Sequence, residues 1–195
     1  MPVRPEFRPK PVPKAESRLA LSALQEARKM SHRAALDMER IWNQPGRGRA
    51  LFDRRRSAWL ANPNVVRWFG RTDLTAQQIR TVRQRLMTID SRLHKKVIIH
   101  IHRELGGGCG AGTWAFHRSG RHVHLCPFYF SRPSSLFDEQ ATTFIHELAH
   151  GLGLFGKGHP GRAEGRRVAL KLAGTNPRKA RKNPWNLEMF YLEYA

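Results

Sequence analysis

The chain has 195 residues, enough for one good-sized domain with a real core and a loose arm beside it. It is 40% apolar, which is ordinary for a globular protein. No run approaches the roughly eighteen uninterrupted apolar residues that a membrane-spanning helix needs. Lys plus Arg number 35 against 15 Asp plus Glu, a net charge of +20. Such a field attracts nucleic acid, acidic membranes and other anionic partners, and it says nothing about the fold.

Residues 1–14 hold five prolines and no periodic apolar pattern, so they read as an extended, disordered basic arm. They are basic without an apolar signal core. If the protein is secreted or exported, that happens without a recognisable signal peptide. From Ala15 to about Trp42 the composition is helical, with Leu21, Leu24, Met38 and Ile41 on amphipathic turns. Pro45-Gly46-Arg47-Gly48 breaks that helix, and a second piece covers Ala50 to Leu60, ended by Pro63. Arg54, Arg55 and Arg56 form one cationic run, and Lys179, Arg181 and Lys182 form another. Both fit a generally basic, solvated surface.

Ile79, Val82, Leu86, Ile89 and Leu93 recur at spacings of three and four, one apolar stripe on an amphipathic helix. The period then changes. Val97, Ile98, Ile99 and Ile101 are β-branched and read as a strand. After the Gly106-Gly107-Gly108 loop, Thr113 to His117 and His122 to Leu125 read as a hairpin around Arg118-Ser119-Gly120. Helices are expected over about Asp138 to Gly151, Arg162 to Ala173 and Pro184 to Tyr194. For the last, Asn183 is the N-cap and Pro184 the first helical position.

The chemistry-bearing segment is His146-Glu147-Leu148-Ala149-His150, an H-E-x-x-H pattern. Residues four apart share one helix face, so both imidazoles can reach one ion. Zinc accepts neutral imidazole nitrogen and keeps a position for water in catalytic sites. Glu147 is placed to take a proton as general base. Ala141, Phe144, Ile145, Leu148 and Ala149 flank the polar triplet, and burying such a triplet without a partner is costly. A catalytic site needs a third protein ligand. A His six residues after His150 would mark a metzincin-type site, but that residue is Gly156. His159 is the first candidate and Glu164 the alternative.

Several further segments, in order, resemble the aspzincin metallopeptidases, the deuterolysin and peptidyl-Lys metalloendopeptidase group. They are Trp68-Phe69-Gly70, Cys109-Gly110-Ala111-Gly112-Thr113-Trp114-Ala115, Val123-His124-Leu125-Cys126 and Thr142-Thr143-Phe144-Ile145. Leu172-Ala173, Asn176-Pro177, Ala180, Asn183, Asn186, Glu188 and Phe190 complete the set. The resemblance runs from about Trp68 to the C-terminus. It implies an α+β, mainly helical, zincin-like metallopeptidase domain over residues 15–195, with a small antiparallel sheet beside the active-site helix. It also implies a Cys109–Cys126 disulfide and hence an oxidising compartment. From composition alone, two free thiols stand equally open.

The sequence departs from that family in three places. The family's third-ligand Asp falls at Gly161, and a Tyr expected to stabilise the oxyanion falls at Glu164. His159 or Glu164 then has to supply the ligand. The oxyanion role is unassigned, with His117, His122 and His124 on the nearby hairpin as candidates. The lysine-specific members hold a substrate ammonium with acidic residues near the C-terminus. Here Glu188 is kept, while Trp185 stands where the more telling Asp would be, so both are candidate substrate-binding residues.

The expectation is therefore a monomeric endopeptidase with one Zn2+ held by His146, His150 and His159 or Glu164, and with Glu147 as base. Its partner is a protein or peptide substrate. It is either a delivered effector or toxin, or a processed secreted enzyme. The alternative is a catalytically impaired zinc-binding homologue that uses its basic surface to bind an anionic partner.

Overall fold

The computed structural model describes residues 3–8, 11–154 and 165–195. Two long helices form the back of the molecule. Helix α1 (Lys14–Trp42) buries Ala20, Ala23, Leu24, Ala27, Met30, Ala34, Met38 and Ile41, a stripe at spacings of three and four. Helix α4 (Ala76–Leu93) buries Ile79, Val82, Leu86, Ile89 and Leu93, the residues its periodicity predicts. A capping box fixes its start: the Thr75 side chain accepts from the Gln78 N–H, and the Gln78 side chain accepts from the Thr75 N–H. The two helices pack on one another, and α1 also packs on the helix carrying His146.

Between them in sequence lie α2 (Gly48–Ala61) and α3 (Pro63–Phe69). Pro63 does not simply end a helix; it is the first residue of the next. Asn62 accepts from the Val65 N–H as N-cap, and Pro at N1 needs no N–H partner.

The sheet order is β1-β2-β4-β3, with β1 Glu6–Arg8, β2 Ile98–Ile101, β3 Ala115–His117 and β4 His122–Leu125. Only the β3–β4 hairpin is antiparallel; β1 and β4 both run parallel to β2. The sheet is thus mixed rather than antiparallel. The extra parallel strand comes from the arm expected to be disordered. Buried Arg28 of α1 holds that arm, donating to the carbonyls of Val3 at 2.8 Å and Leu93 at 2.7 Å. Phe7 packs against the core, and Glu6 pairs with Lys96. Local composition favoured an open chain, and these long-range contacts override it.

Ile99, Ile101, Val123 and Leu125 point into the core. The intervening His100, His102, His122 and His124 therefore share the other face, as a period of two requires. Cys109, in the glycine-rich loop, is disulfide-bonded to Cys126 at the end of β4. Gly108 is needed there: its φ is +116°, and a Cβ would meet the Phe116 ring at 2.7 Å.

After the short α5 (Pro127–Phe130), α6 (Phe137–Gly151) crosses the core and packs on α1, α9, β3 and β4. Helices α7 (Arg166–Thr175), α8 (Pro177–Ala180) and α9 (Pro184–Leu192) close the molecule. The helix expected from Arg162 is described from Arg166 onward; its first expected residues lie outside the described ones. Asn183 caps α9 and Pro184 opens it, as the sequence implies. Among the described residues no helix is long and apolar enough to cross a membrane.

Candidate active site

Helix α6 is buried almost throughout. Ala141, Phe144, Ile145, Leu148 and Ala149 hold it in the core, which leaves His146, Glu147 and His150 at one edge, above β3. The helix can come this close to the hairpin because residue 151 is glycine. A Cβ there would meet the Gly120 carbonyl oxygen at 2.8 Å.

His146 Nε2 and His150 Nε2 face each other at 3.2 Å. His146 Nδ1 donates to Glu188 Oε2 of α9 at 2.8 Å. The carboxylate accepts, so the proton sits on Nδ1 and Nε2 presents its lone pair. Glu188 is buried, and its other oxygen, Oε1, accepts from Thr142 Oγ1 at 3.1 Å. Glu188 thus lies behind His146 with both oxygens committed. The Trp185 and His146 rings meet in a T-shaped contact, with centroids 5.5 Å apart at 73°.

The hairpin contributes one more group. His117 Nδ1 of β3 stands 3.5 Å from Glu147 Oε2. Its ring stacks on His150 at 5.4 Å between centroids, 3° from parallel. Of the three hairpin histidines, then, His117 joins the site, while His122 and His124 lie on the far face of the sheet.

His146, Glu147, Trp185 and Glu188 line a cleft of about 560 Å³ whose other walls include Trp114, Glu139, Arg166 and Met189. Edge strand β3 forms one side through Ala115, with Trp114 just before it. A concave, half-apolar cleft with a few converging polar groups is the usual form of a small-ligand or peptide site.

The two histidines suit zinc. With Zn–N bonds of about 2.0–2.1 Å, two ligands of a tetrahedral ion sit roughly 3.3–3.4 Å apart, close to the 3.2 Å between His146 Nε2 and His150 Nε2. A carboxylate on the outer nitrogen of a ligating His is also the usual support for such a site. Among the described residues no group of three His, Cys, Asp or Glu is arranged to hold a metal. Both third-ligand candidates, His159 and Glu164, lie outside the described residues.

Sequence reasoning did not find the Glu188–His146 bond or the Thr142 contact, because the partners belong to different helices. The His117–Glu147 approach had a partial signal: the hairpin pattern put His117, His122 and His124 near the site without separating them.

Comparison with known proteins bears on the same segment. A family model described as lysine-specific metallo-endopeptidase, of the aspzincin M35 group, matches residues 56–192. A solved zinc peptidase from Grifola frondosa superposes with a TM-score of 0.68 at 22% identity, covering 93% of this chain and 97% of that one. At that identity the likeness shows the fold. No curated protein sequence matches.

Proposed function

Since the chain belongs to the aspzincin peptidase family by its match over residues 56–192, we propose that it is a zinc-dependent endopeptidase. The observation that carries this reading is the arrangement on α6. His146 Nε2 and His150 Nε2 are 3.2 Å apart, Glu188 holds the first imidazole, and Glu147 stands beside them in an open cleft.

His146 and His150 hold the metal, with His159 or Glu164 as third ligand. When bound, zinc acidifies water and polarises a carbonyl. Glu147 accepts the proton from the attacking water on its carboxylate and returns it to the leaving amine. His117, 3.5 Å from that carboxylate, orients it. The place of His117 on β3 beside Glu147 makes it the candidate for the oxyanion role left open where Glu164 stands in place of the family's Tyr. Trp114 and Trp185 give the cleft its apolar walls, where substrate side chains pack and water is excluded. The disulfide supports export to an oxidising compartment.

The test is metal content and cleavage of an unfolded protein, read on the same samples. Wild type should hold about one zinc per chain, as a single site requires, and cleave. Glu147→Gln should keep the zinc and lose about 10²–10⁴-fold in kcat, the usual range for a general base. Zinc-loaded wild type that leaves every unfolded substrate intact overturns the peptidase and favours the binding-protein alternative. Comparing His159→Ala with Glu164→Ala identifies the third ligand by which one loses zinc.

A further inference from the structure

The run Arg54-Arg55-Arg56 plays no part in the site above; it lies on α2, at the other end of the molecule from the sheet. There the chain gathers arginine and no lysine. Residues 40–56 and 80–83 contain Arg40, Arg47, Arg49, Arg54, Arg55, Arg56, Arg80 and Arg83, against a single acidic residue, Asp53.

The structure brings three of these onto one indole. The Arg55 guanidinium lies 3.4 Å from the centre of the Trp42 ring, with Arg83 at 5.1 Å and Arg80 at 6.0 Å. Arg55 Nε also donates to the Trp42 carbonyl at 2.7 Å. These contacts fix the cations in place. Burial, and then the charges of Arg80 and Arg83, push the Arg55 guanidinium below its ordinary pKa.

Neutralisation is incomplete. Arg83 pairs with Glu39, Arg40 with Asp37, and Arg49 reaches Asp53 at 4.0 Å. Arg47, Arg54, Arg55, Arg56 and Arg80 have no acidic partner among the described residues. Arg47, Arg54, Arg56 and Arg80 are exposed. A like-charge cluster held together by stacking and carbonyl bonds is costly alone and is relieved by an anion.

We infer that the α2–Trp42 face is a docking surface for the phosphate backbone of nucleic acid. Guanidinium is the group that matches phosphate in bidentate fashion. Helix α2 spans about 21 Å at 1.5 Å per residue, long enough to follow several successive phosphates of a duplex. A bilayer is the poorer match. Trp59 is buried and Leu51 and Phe52 are half-buried, so the exposed face offers guanidinium groups and, apart from Leu60, little to insert among lipid chains. Contacts of this kind read no sequence.

The experiment measures fluorescence anisotropy of a labelled DNA duplex as salt is varied from about 50 to 200 mM. It compares the wild-type chain with two variants of equal charge loss. One carries Arg47→Gln, Arg54→Gln, Arg56→Gln and Arg80→Gln. The other carries Lys14→Gln, Arg18→Gln, Arg103→Gln and Arg121→Gln, all exposed; Lys14 and Arg18 stand at the start of α1, roughly 35–40 Å from Trp42 by helix rise, and Arg103 and Arg121 flank strands β2 and β4. All eight positions are solvent-facing, so both variants should fold, which their melting curves verify. The first should have a log–log salt slope shallower by about three to four, one phosphate contact per lost arginine. The second should stay within about half a unit of wild type. Equal losses in the two variants overturn the inference, because they mean net charge alone. So does an absence of duplex binding at low salt, with or without binding to phosphatidylserine vesicles.

Discussion

Glu188 Oε2 accepts a hydrogen bond from His146 Nδ1 at 2.8 Å, while its partner oxygen takes the Thr142 hydroxyl at 3.1 Å. A carboxylate so placed fixes the ring of a metal-ligating His and raises its basicity. Glu188→Gln should therefore weaken zinc binding about 10- to 100-fold, the usual cost of losing such a partner. Competition against a chelator measures it. Unchanged affinity would mean that His146 does not ligate through Nε2.

The same commitment bears on specificity. The family model speaks of lysine, but both Glu188 oxygens already accept from His146 and Thr142, which weakens their hold on a substrate ammonium. Arg166 and the apolar Trp114, Trp185, Met189 and Leu192 line the cleft with it. Peptides with aromatic or aliphatic side chains beside the scissile bond should be cut at least as fast as their lysine counterparts. Mass spectrometry of a digested unfolded protein reads this directly. Cleavage confined to lysine would refute it and point to Glu139, the exposed carboxylate of the cleft.

How far the sequence foretold this site follows from the range of each interaction. Ile79 to Leu93 announce α4 because a helix repeats within itself, and His146 to His150 announce one face of α6 for the same reason. The Glu188–His146 bond joins residues 42 apart, and no local pattern encodes it. Residues 6–8 read as open chain because prolines surround them; only the approach of β2 and the reach of Arg28 make them a strand. Pro63 looked like an ending because a proline stops a preceding helix as readily as it starts a new one. Asn62 as N-cap decides between the two.

The disulfide closes a loop of 17 residues between β2 and the end of β4. It ties the glycine-rich segment to the strand that supports β3, and so to one wall of the cleft. In the chain-entropy account a loop of this size contributes about 3 kcal/mol. The pair Cys109→Ser and Cys126→Ser should lower stability by about that amount and raise KM more than it lowers kcat, since the α6 residues do not depend on the loop. Denaturant titration and steady-state kinetics measure the two effects. An unchanged KM would separate the loop from substrate binding.

On the far face of the sheet, His100 Nε2 meets His122 Nδ1 at 2.9 Å, and His102 Nε2 meets His124 Nδ1 at 2.9 Å. Each such contact needs one nitrogen with a proton and one without, so protonating both rings of a pair breaks it. Burial is the main cause that pushes His124 down to about 4, with His100, His102, Arg118 and His122 adding positive charge around it. His100 and His102 are lowered as well, first by burial, then by neighbours that include Arg118 and, for His100, Arg8. In the unfolded chain these imidazoles titrate near their ordinary 6.5. Between about pH 6.5 and 4 the unfolded state thus binds more protons than the folded one, and stability rises with pH across that window. Put the other way, stabilisation is complete above about 6.5 and is lost as pH falls towards 4. Denaturation midpoints taken at intervals from neutral to mildly acidic pH should fall accordingly, and His100→Asn with His122→Asn should flatten the decline. The pair lies on the opposite face of the sheet from His117, so the variant should keep its zinc at neutral pH. A decline just as steep in the variant would assign the acid sensitivity to carboxylates instead.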